Sequence, residues 1–159
     1  MFKKLMAATA LTTALFASGA SAQNNDPFVG FYTVGEIGYD NGGDGFDQLI
    51  YGGAFGLNIP LDEQWYFGGE GAIHGSTSSL IDFTYEFTAN LGYRLDTDLV
   101  VFARAGYREF NFDDFGSDGD YTLGLGAQYA LSENLSFRPI IDTVAFDTIG
   151  VRAGIAYSF

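Results

Sequence analysis

Apolar and polar side chains alternate along most of the chain with a period of two residues. Between Ile81 and Arg94, for example, odd-numbered positions are apolar or aromatic, and even-numbered positions are polar, charged or glycine. This period indicates β-strands with one apolar face. Eight segments share the pattern, and the predicted strands cover residues 28–39, 46–59, 65–74, 81–95, 99–110, 120–131, 135–144 and 148–159.

The length of these strands separates two classes of all-β protein. Strands in soluble sheets usually have about 5–6 residues, whereas a tilted strand that crosses a bilayer needs about 9–11. The predicted strands are long by this measure, which favours a transmembrane β-barrel over the alternative fold, a soluble β-sandwich.

The connections between the strands alternate in length. Tight turns at residues 60–64, 96–98 and 132–134 recur every 36 residues, and residues 61–67 resemble residues 131–137. Most of the other connections, at 40–45, 75–80 and 111–119, are longer and rich in Gly and Asp, and the one at 145–147 is short. Short turns at one end and longer loops at the other are typical of bacterial outer-membrane barrels. The prediction is therefore an all-β, eight-stranded antiparallel up-and-down transmembrane β-barrel.

The odd-numbered face is expected to contact lipid, because its aromatic residues gather at the two ends of the strands. The group near the tight turns consists of Trp65, Phe67, Tyr93, Tyr129, Phe137, Tyr157 and Phe159. The group toward the other end consists of Tyr39, Tyr85, Tyr107 and Tyr121.

The even-numbered face, which would line the lumen, carries equal numbers of acidic and basic residues. These are Glu36, Glu70, Asp82, Glu86 and Asp142 with Arg94, Arg104, Arg108, Arg138 and Arg152. Side chains fill an eight-stranded barrel, and an unpaired buried charge costs several kcal/mol, so an ion-paired, plugged lumen is predicted. Inward glycines are expected to make room for the arginines: Gly52, Gly56, Gly92, Gly106, Gly124 and Gly126.

Pro139 lies in the middle of the seventh predicted strand. Proline has no backbone N–H, and a closed barrel has no free edge at which that loss is harmless. A bulge or a disrupted pair is therefore predicted there.

The first 22 residues have the features of a secretory signal peptide. Lys3 and Lys4 precede an apolar segment at 5–17, and a small-x-small cleavage pattern ends at Ala22.

Cleavage there leaves a barrel domain at 23–159 with five arginines, no lysine and 20 acidic residues, a formal charge of −15. Such a charge argues against nucleic acid as a partner. The absence of cysteine excludes disulfides, thiolate zinc sites and an N-terminal lipid anchor on cysteine.

The last strand ends in Phe159, and its outward residues are Val151, Ala153, Ile155 and Tyr157. This looks like the C-terminal assembly signal of bacterial outer-membrane proteins. With the hairpin repeat, the chain resembles the small eight-stranded families: outer membrane protein X, the transmembrane part of outer membrane protein A, and the opacity-type porin-family proteins. Its predicted loops are shorter than those that carry projecting strands in outer membrane protein X.

The resemblance implies a Gram-negative cell-envelope protein that is exported through the periplasm into the outer membrane. Its expected role is structural or in surface interaction. The expected partners are outer-membrane lipid, lipopolysaccharide, and the secretion and barrel-assembly machineries. A monomer without a cofactor is expected.

Two functional alternatives stay open. His74, the single histidine, precedes Ser76 by two residues, and Glu86 follows; this resembles an eight-stranded lipid A deacylase that uses a His-x-Ser pair with a Glu. Catalysis would require the three side chains to converge, but the residues around the pair depart from that enzyme's pattern, and no catalytic residue is predicted. The second alternative is a narrow porin-like channel, although an open pore usually needs more strands.

Acidic residues cluster in two of the predicted loops: Asp40, Asp44 and Asp47 in one, and Asp113, Asp114, Asp118 and Asp120 in the other. Carboxylates can hold Ca²⁺, but no calcium-loop spacing is present. No metal site is predicted, and we expect loose bridging by divalent cations to lipopolysaccharide phosphates.

Overall fold

A computed structural model describes residues 26–42, 46–78, 81–112 and 116–159. The predicted signal peptide, residues 1–22, lies outside them. The eight strands are β1 (Gly30–Gly42), β2 (Phe46–Pro60), β3 (Trp65–Ser76), β4 (Ile81–Asp96), β5 (Leu99–Phe112), β6 (Gly116–Ala130), β7 (Leu135–Val144) and β8 (Thr148–Ser158).

The strands form one closed antiparallel barrel in which β8 pairs with β1. This arrangement confirms the predicted fold class and all eight predicted strands. No helix long and apolar enough to cross a membrane occurs in the described part of the chain. We call the end of the barrel with the tight turns the turn end, and the opposite end the loop end.

Strand pairing keeps the two faces of the sheet separate around the barrel. Cα partners join even positions with even and odd with odd, as in Glu36↔Gly52 and Ala105↔Leu123, except at the two irregular ends of β4, where Ile81 pairs with Phe112 and Asp96 with Leu99. Even positions therefore face the lumen and odd positions face outward, as the alternation predicted. Neighbouring Glu86 and Phe87 show the contrast, since they are 1% and 68% exposed.

The register also fixes the tilt of the strands. Successive partners followed around the barrel from Asn41 of β1 lead back to Phe31 of the same strand, ten positions earlier. Strands of a closed barrel must tilt when the register is staggered in this way.

Aromatic residues ring the outer surface at both ends, as predicted. At the turn end, Trp65 packs edge-to-face on Tyr93 with 4.8 Å between the ring centroids, and Phe67, Tyr129 and Phe137 are exposed. The exposed rings toward the loop end are Tyr39, Tyr85, Tyr107 and Tyr121.

The first and third tight turns have the same local geometry. In the first, Asp62 N donates to Trp65 O, and the Asp62 carboxylate accepts a hydrogen bond from Trp65 N at 2.7 Å. In the third, Ser132 N donates to Leu135 O, and the Ser132 hydroxyl accepts one from Leu135 N at 3.2 Å. The sequence repeat is therefore a structural repeat.

The β5–β6 hairpin is longer than predicted. β6 begins at Gly116 instead of 120, and the two strands remain paired up to Phe112↔Gly116. β6 pairs with β7 only from Thr122↔Val144 onward, so residues 116–121 extend beyond the end of their neighbour. The prediction of a loop over the whole of 111–119 is wrong, because most of the described residues there are strand.

Pro139 disrupts one ladder without changing its register. Residues 127–128 of β6 and 138–139 of β7 form no ladder pairs with each other, while the β6–β7 pairs on either side share one register. On its other side, Pro139 keeps its partner Ala153 in β8. The missing N–H therefore produces the predicted disrupted pair, and no bulge.

Ile81 departs from the predicted facing. It was expected on the outward face, but it is only 1% exposed. The β4–β5 register shifts between Ile81 and Phe83, and this irregularity ends the strict alternation at the start of β4.

Candidate functional site: the barrel lumen

A network of charged side chains fills the middle and the loop-end half of the lumen. We call it the lumen charge network. Its members are all buried: Glu36, Asp40, Glu70, Glu86, Asp142, His74, Arg104, Arg108, Arg138 and Arg152.

Glu86 lies at the centre of this network. Its carboxylate accepts hydrogen bonds from Arg104 Nη2 at 2.5 Å, Arg108 Nε at 3.0 Å and Arg152 Nη1 at 2.9 Å. These arginines come from β5 and β8, so one carboxylate on β4 ties together three strands. Charge-assisted bonds of this kind are stronger than neutral ones.

Asp142 of β7 forms a second junction. Its Oδ2 accepts from Arg108 Nη2 at 3.0 Å and from Arg152 Nη2. The same two arginines therefore bridge Glu86 and Asp142 across the lumen. This arrangement uses the planar guanidinium fork of arginine, whose spaced nitrogens bond to two carboxylates at once, whereas the lysine ammonium is a compact point charge.

Glu70 connects the network to aromatic rings nearer the turn end. It accepts hydrogen bonds from Arg138 and from the Tyr32 hydroxyl, the latter at 2.8 Å, and Arg104 lies 3.4 Å away. The Arg138 guanidinium also lies over the rings of Tyr32 and Phe102, 5.5 and 4.8 Å from their centroids. Such contacts offset part of the cost of burying a cation.

The charged residues of the lumen differ from the predicted set at Asp40 and Arg94. Asp40, assigned from the sequence to an outer loop, is instead buried in the lumen, where Arg108 Nη1 lies 3.6 Å from its Oδ1. Arg94 lies at the turn-end mouth and pairs with Asp26. The side chain of Asp82 lies outside the described part of the chain. The described network thus contains five carboxylates, four arginines and one histidine.

The structure does not bring the His74, Ser76 and Glu86 side chains together. His74 Nε2 is hydrogen-bonded to Glu36 Oε1 at 2.5 Å, and the Ser76 hydroxyl donates to Gln48 Oε1. Glu86 is occupied by its three arginines. His74 therefore belongs to the lumen charge network; its even position predicted that it faces the lumen, but its pairing with Glu36 was not predicted.

The turn-end half of the lumen contains an apolar cluster. We call its packed cluster the aromatic base, and it consists of Phe28, Tyr66, Val100, Phe102 and Ile140. Alternation predicts polar or small residues at even positions, so these inward rings were missed in the sequence.

The inward glycines serve this aromatic base as well as the arginines. A Cβ at Gly92 would meet the ring of Tyr66, and one at Gly126 would meet the ring of Phe102. Gly124, by contrast, lies against Arg104 and Asp142. The prediction that all these glycines make room for arginines is therefore only partly correct.

The segment before β1 forms a turn inside the turn-end mouth. We call residues 26–29 the N-terminal turn. The sequence predicted a strand from residue 28, but β1 starts at Gly30, and Phe28 is buried in the aromatic base.

The acidic loop clusters are only partly described. Asp44, Asp113 and Asp114 lie outside the described residues, whereas Asp118 and Asp120 are exposed on β6. Within residues 26–42, 46–78, 81–112 and 116–159, no group of three or more His, Cys, Asp or Glu is arranged to hold a metal ion.

Comparisons with solved structures find other small barrels. Ail, the attachment invasion locus protein of Yersinia pestis, in complex with the heparin analogue sucrose octasulfate, has 17% identity and a TM-score of 0.59, with 80% of this chain and 96% of that chain covered. Neisserial surface protein A has 16% identity and a TM-score of 0.58, with 81% and 97% covered. The N-terminal barrel of Pseudomonas aeruginosa OprF has 15% identity and a TM-score of 0.55, with 82% and 98% covered.

At these identities, the solved structures establish the fold alone. A search of curated proteins finds no match to the chain. The family model described as the outer membrane protein beta-barrel domain matches residues 8–159. The family and the neighbouring barrels together imply placement in the outer membrane. The chain belongs to the outer membrane protein β-barrel domain family.

Proposed function

We propose that the protein is a non-catalytic outer-membrane barrel with a closed lumen, whose role is structural or in interactions at the cell surface. The observation that carries this proposal is the lumen charge network, in which buried acids and bases from most of the strands are paired across the barrel. A conducting pore would need an open water-filled path, which these paired side chains occupy.

The same network is the reason that we propose no catalytic role. A nucleophilic serine needs a histidine within hydrogen-bond reach as its base, but His74 is bonded to Glu36 and Ser76 to Gln48. The purified protein is expected to leave the acyl chains of radiolabelled lipid A intact. Deacylation that is lost in His74→Ala would contradict this proposal and support the lipid A-modifying alternative.

The surface role is supported by the projecting part of the β5–β6 hairpin. Residues 116–121 of β6 extend beyond β7, and Asp118 and Asp120 on this segment are exposed. Asp47 and Asp147 add exposed carboxylates at the same end. The loop end therefore presents negative charge on backbone that is held in place by strand pairing.

This charge favours cationic partners. The neighbour Ail is described with a sulfated heparin analogue, whereas the arginines of this chain lie in the lumen or at the turn-end mouth and none lies at the loop end. We propose that divalent cations bridge the loop-end carboxylates to lipopolysaccharide phosphates, and that sulfated polysaccharides are repelled. Retention of lipopolysaccharide that is insensitive to EDTA would contradict the bridging.

Cysteine labelling of cells tests membrane placement and orientation together. The chain has no cysteine, so Ser117→Cys on the β5–β6 hairpin and Glu63→Cys on a tight turn each give a single reactive thiol. A membrane-impermeant thiol reagent is expected to label Ser117→Cys on intact cells, and Glu63→Cys only after the outer membrane is permeabilised. Equal labelling of both on intact cells, or recovery of the protein in the soluble periplasm, would contradict the proposal.

A further inference from the structure

The turn-end mouth of the barrel contains a segment that is not part of any strand. In the N-terminal turn, Val29 N donates to Asp26 O at 3.2 Å, and Phe28 N donates to the Asp26 carboxylate at 3.0 Å. Gly30 then has a φ of 95°, a left-handed conformation that glycine adopts without steric cost. This glycine redirects the chain from the mouth into β1.

The side chain of Phe28 is the inserted part of this turn. It is 1% exposed and packs in the aromatic base with Tyr66, Val100 and Phe102. Burying a phenylalanine ring is strongly favourable. Val29 of the same turn is also buried, and the Arg94 guanidinium lies over the Phe28 ring, 5.6 Å from its centroid. Phe28 is therefore the main apolar anchor of the turn, with Val29 beside it.

Polar contacts hold the backbone of the turn to three strands, and the longest of them joins Gln128 Nε2 of β6 to Pro27 O at 3.5 Å. Asn58 of β2 donates to Phe28 O at 2.9 Å, and the Ser158 hydroxyl of β8 donates to Pro27 O at 2.6 Å. Because β8 closes the barrel against β1, the turn also spans the closure seam.

The first residue of the turn, Asp26, is held less firmly than Phe28. The ion pair of Asp26 with Arg94 has side chains that are 27% and 29% exposed, and solvent-accessible ion pairs contribute little to stability. No ladder pair involves residues 26–29 in the described structure. The turn can therefore leave the mouth without breaking a strand pair.

From this geometry, we propose that the N-terminal turn is a removable stopper, which blocks the turn-end mouth and admits water and small solutes to the aromatic base when it is displaced. The stopper is separate from the lumen charge network, which lies farther along the lumen and stays intact when the turn moves. This arrangement gives the barrel two independent closures.

Thiol accessibility behind the turn tests this proposal. Val100 is fully buried in the aromatic base, so Val100→Cys in the otherwise cysteine-free mature chain reports access through the mouth. A small, charged thiol reagent is applied to the refolded protein in detergent micelles. Phe28→Ala is expected to increase the labelling rate at least about tenfold, since labelling follows the population of the open form.

Phe31→Ala is the matched control. Phe31 lies three residues away, but its ring is 52% exposed and stacks on Phe55 outside the barrel. Its loss is expected to leave the labelling rate unchanged. Heat-modifiable migration in detergent gels verifies in each case that the barrel is folded.

Two outcomes would overturn the stopper. One is equal labelling of Val100→Cys with Phe28 and with Phe28→Ala, and the other is an equal increase in the Phe31→Ala control.

If Phe28→Ala does not fold, Asp26→Asn replaces it, because this change weakens the ion pair with Arg94 and preserves the apolar packing. A severalfold increase is then expected, and no increase would overturn the proposal. Conductance is expected to stay at background in all these variants, so failure of the closed-lumen proposal would be seen separately.

Discussion

The two halves of the lumen are filled by side chains of different chemistry. Toward the loop end, Glu86 and Asp142 share Arg108 and Arg152 in a set of buried ion pairs. Toward the turn end, the aromatic base is filled by rings and aliphatic side chains, with Phe28 supplied from outside the strands. Arg138 joins the halves, because it pairs with Glu70 and lies over the ring of Phe102.

This difference shows how the interior of a narrow barrel can be packed in two ways. Ion pairing is strict, since removal of one partner leaves an uncompensated buried charge. Apolar packing is more tolerant, since the neighbouring side chains can partly relax into the space. The loop-end half should therefore be more sensitive to a change of one functional group than the turn-end half.

The largest effect is expected from removing the central carboxylate of the lumen charge network. Glu86→Gln keeps the size of the side chain but leaves Arg104, Arg108 and Arg152 with one negative charge fewer. We expect the free energy of unfolding to fall by about 3–5 kcal/mol, the usual cost of breaking a buried ion pair. Urea unfolding followed by the fluorescence of Trp65, the single tryptophan, measures this change.

Glu63→Gln provides the control for that experiment. Glu63 lies exposed in a tight turn, and an exposed substitution of this kind usually changes stability by less than about 0.5 kcal/mol. If Glu86→Gln were as mild as Glu63→Gln, the ion pairs would not hold the loop-end half together.

A smaller effect is expected at the junction of the two halves. Tyr32→Phe removes the hydroxyl that donates to Glu70 at 2.8 Å and keeps the ring under Arg138. We expect a loss of about 2 kcal/mol, as for a hydrogen bond to a charged group. Tyr129→Phe, on the exposed outer surface, should leave the unfolding midpoint unchanged, and an equal loss in both variants would contradict the assignment.

The smallest of these effects is expected in the aromatic base. A Cβ at Gly92 would overlap the ring of Tyr66, so Gly92→Ala should destabilise the barrel by about 1–2 kcal/mol through overpacking. Gly69→Ala is the control, because a Cβ at this outward glycine would meet no atom within 4 Å. A loss for Gly92→Ala larger than that for Glu86→Gln would reverse the proposed order of the two halves.

The alternation of residues was sufficient to predict the strands and the ion-paired lumen. It works because the Cα partners have the same parity along the regular parts of the strands, so even-numbered charges there point inward, whereas Asp118 and Asp120 lie on the part of β6 that extends beyond β7 and are exposed. Glu36, Glu70, Glu86 and Asp142 were found in this way, with four of their arginines.

The predictions fail at residues that lie at or beyond the ends of the regular strands. They also fail where a contact depends on residues that are distant in the sequence. Asp40 was assigned to a loop because β1 was predicted to end at residue 39, although the strand continues to Gly42. Phe28 was placed in a strand because its apolar character does not distinguish a strand from an inserted turn. The pairing of His74 with Glu36 spans 38 residues, and no local pattern encodes such a contact.

The central claim is that the paired charges close the lumen, and planar-bilayer recording of the refolded mature chain at neutral pH tests it most directly. The protein is expected to give no steady conductance above the background of the bilayer, because the network centred on Glu86 and Asp142 occupies the path. A steady, reproducible conductance from protein that migrates as a folded barrel would contradict this account and establish the narrow channel instead.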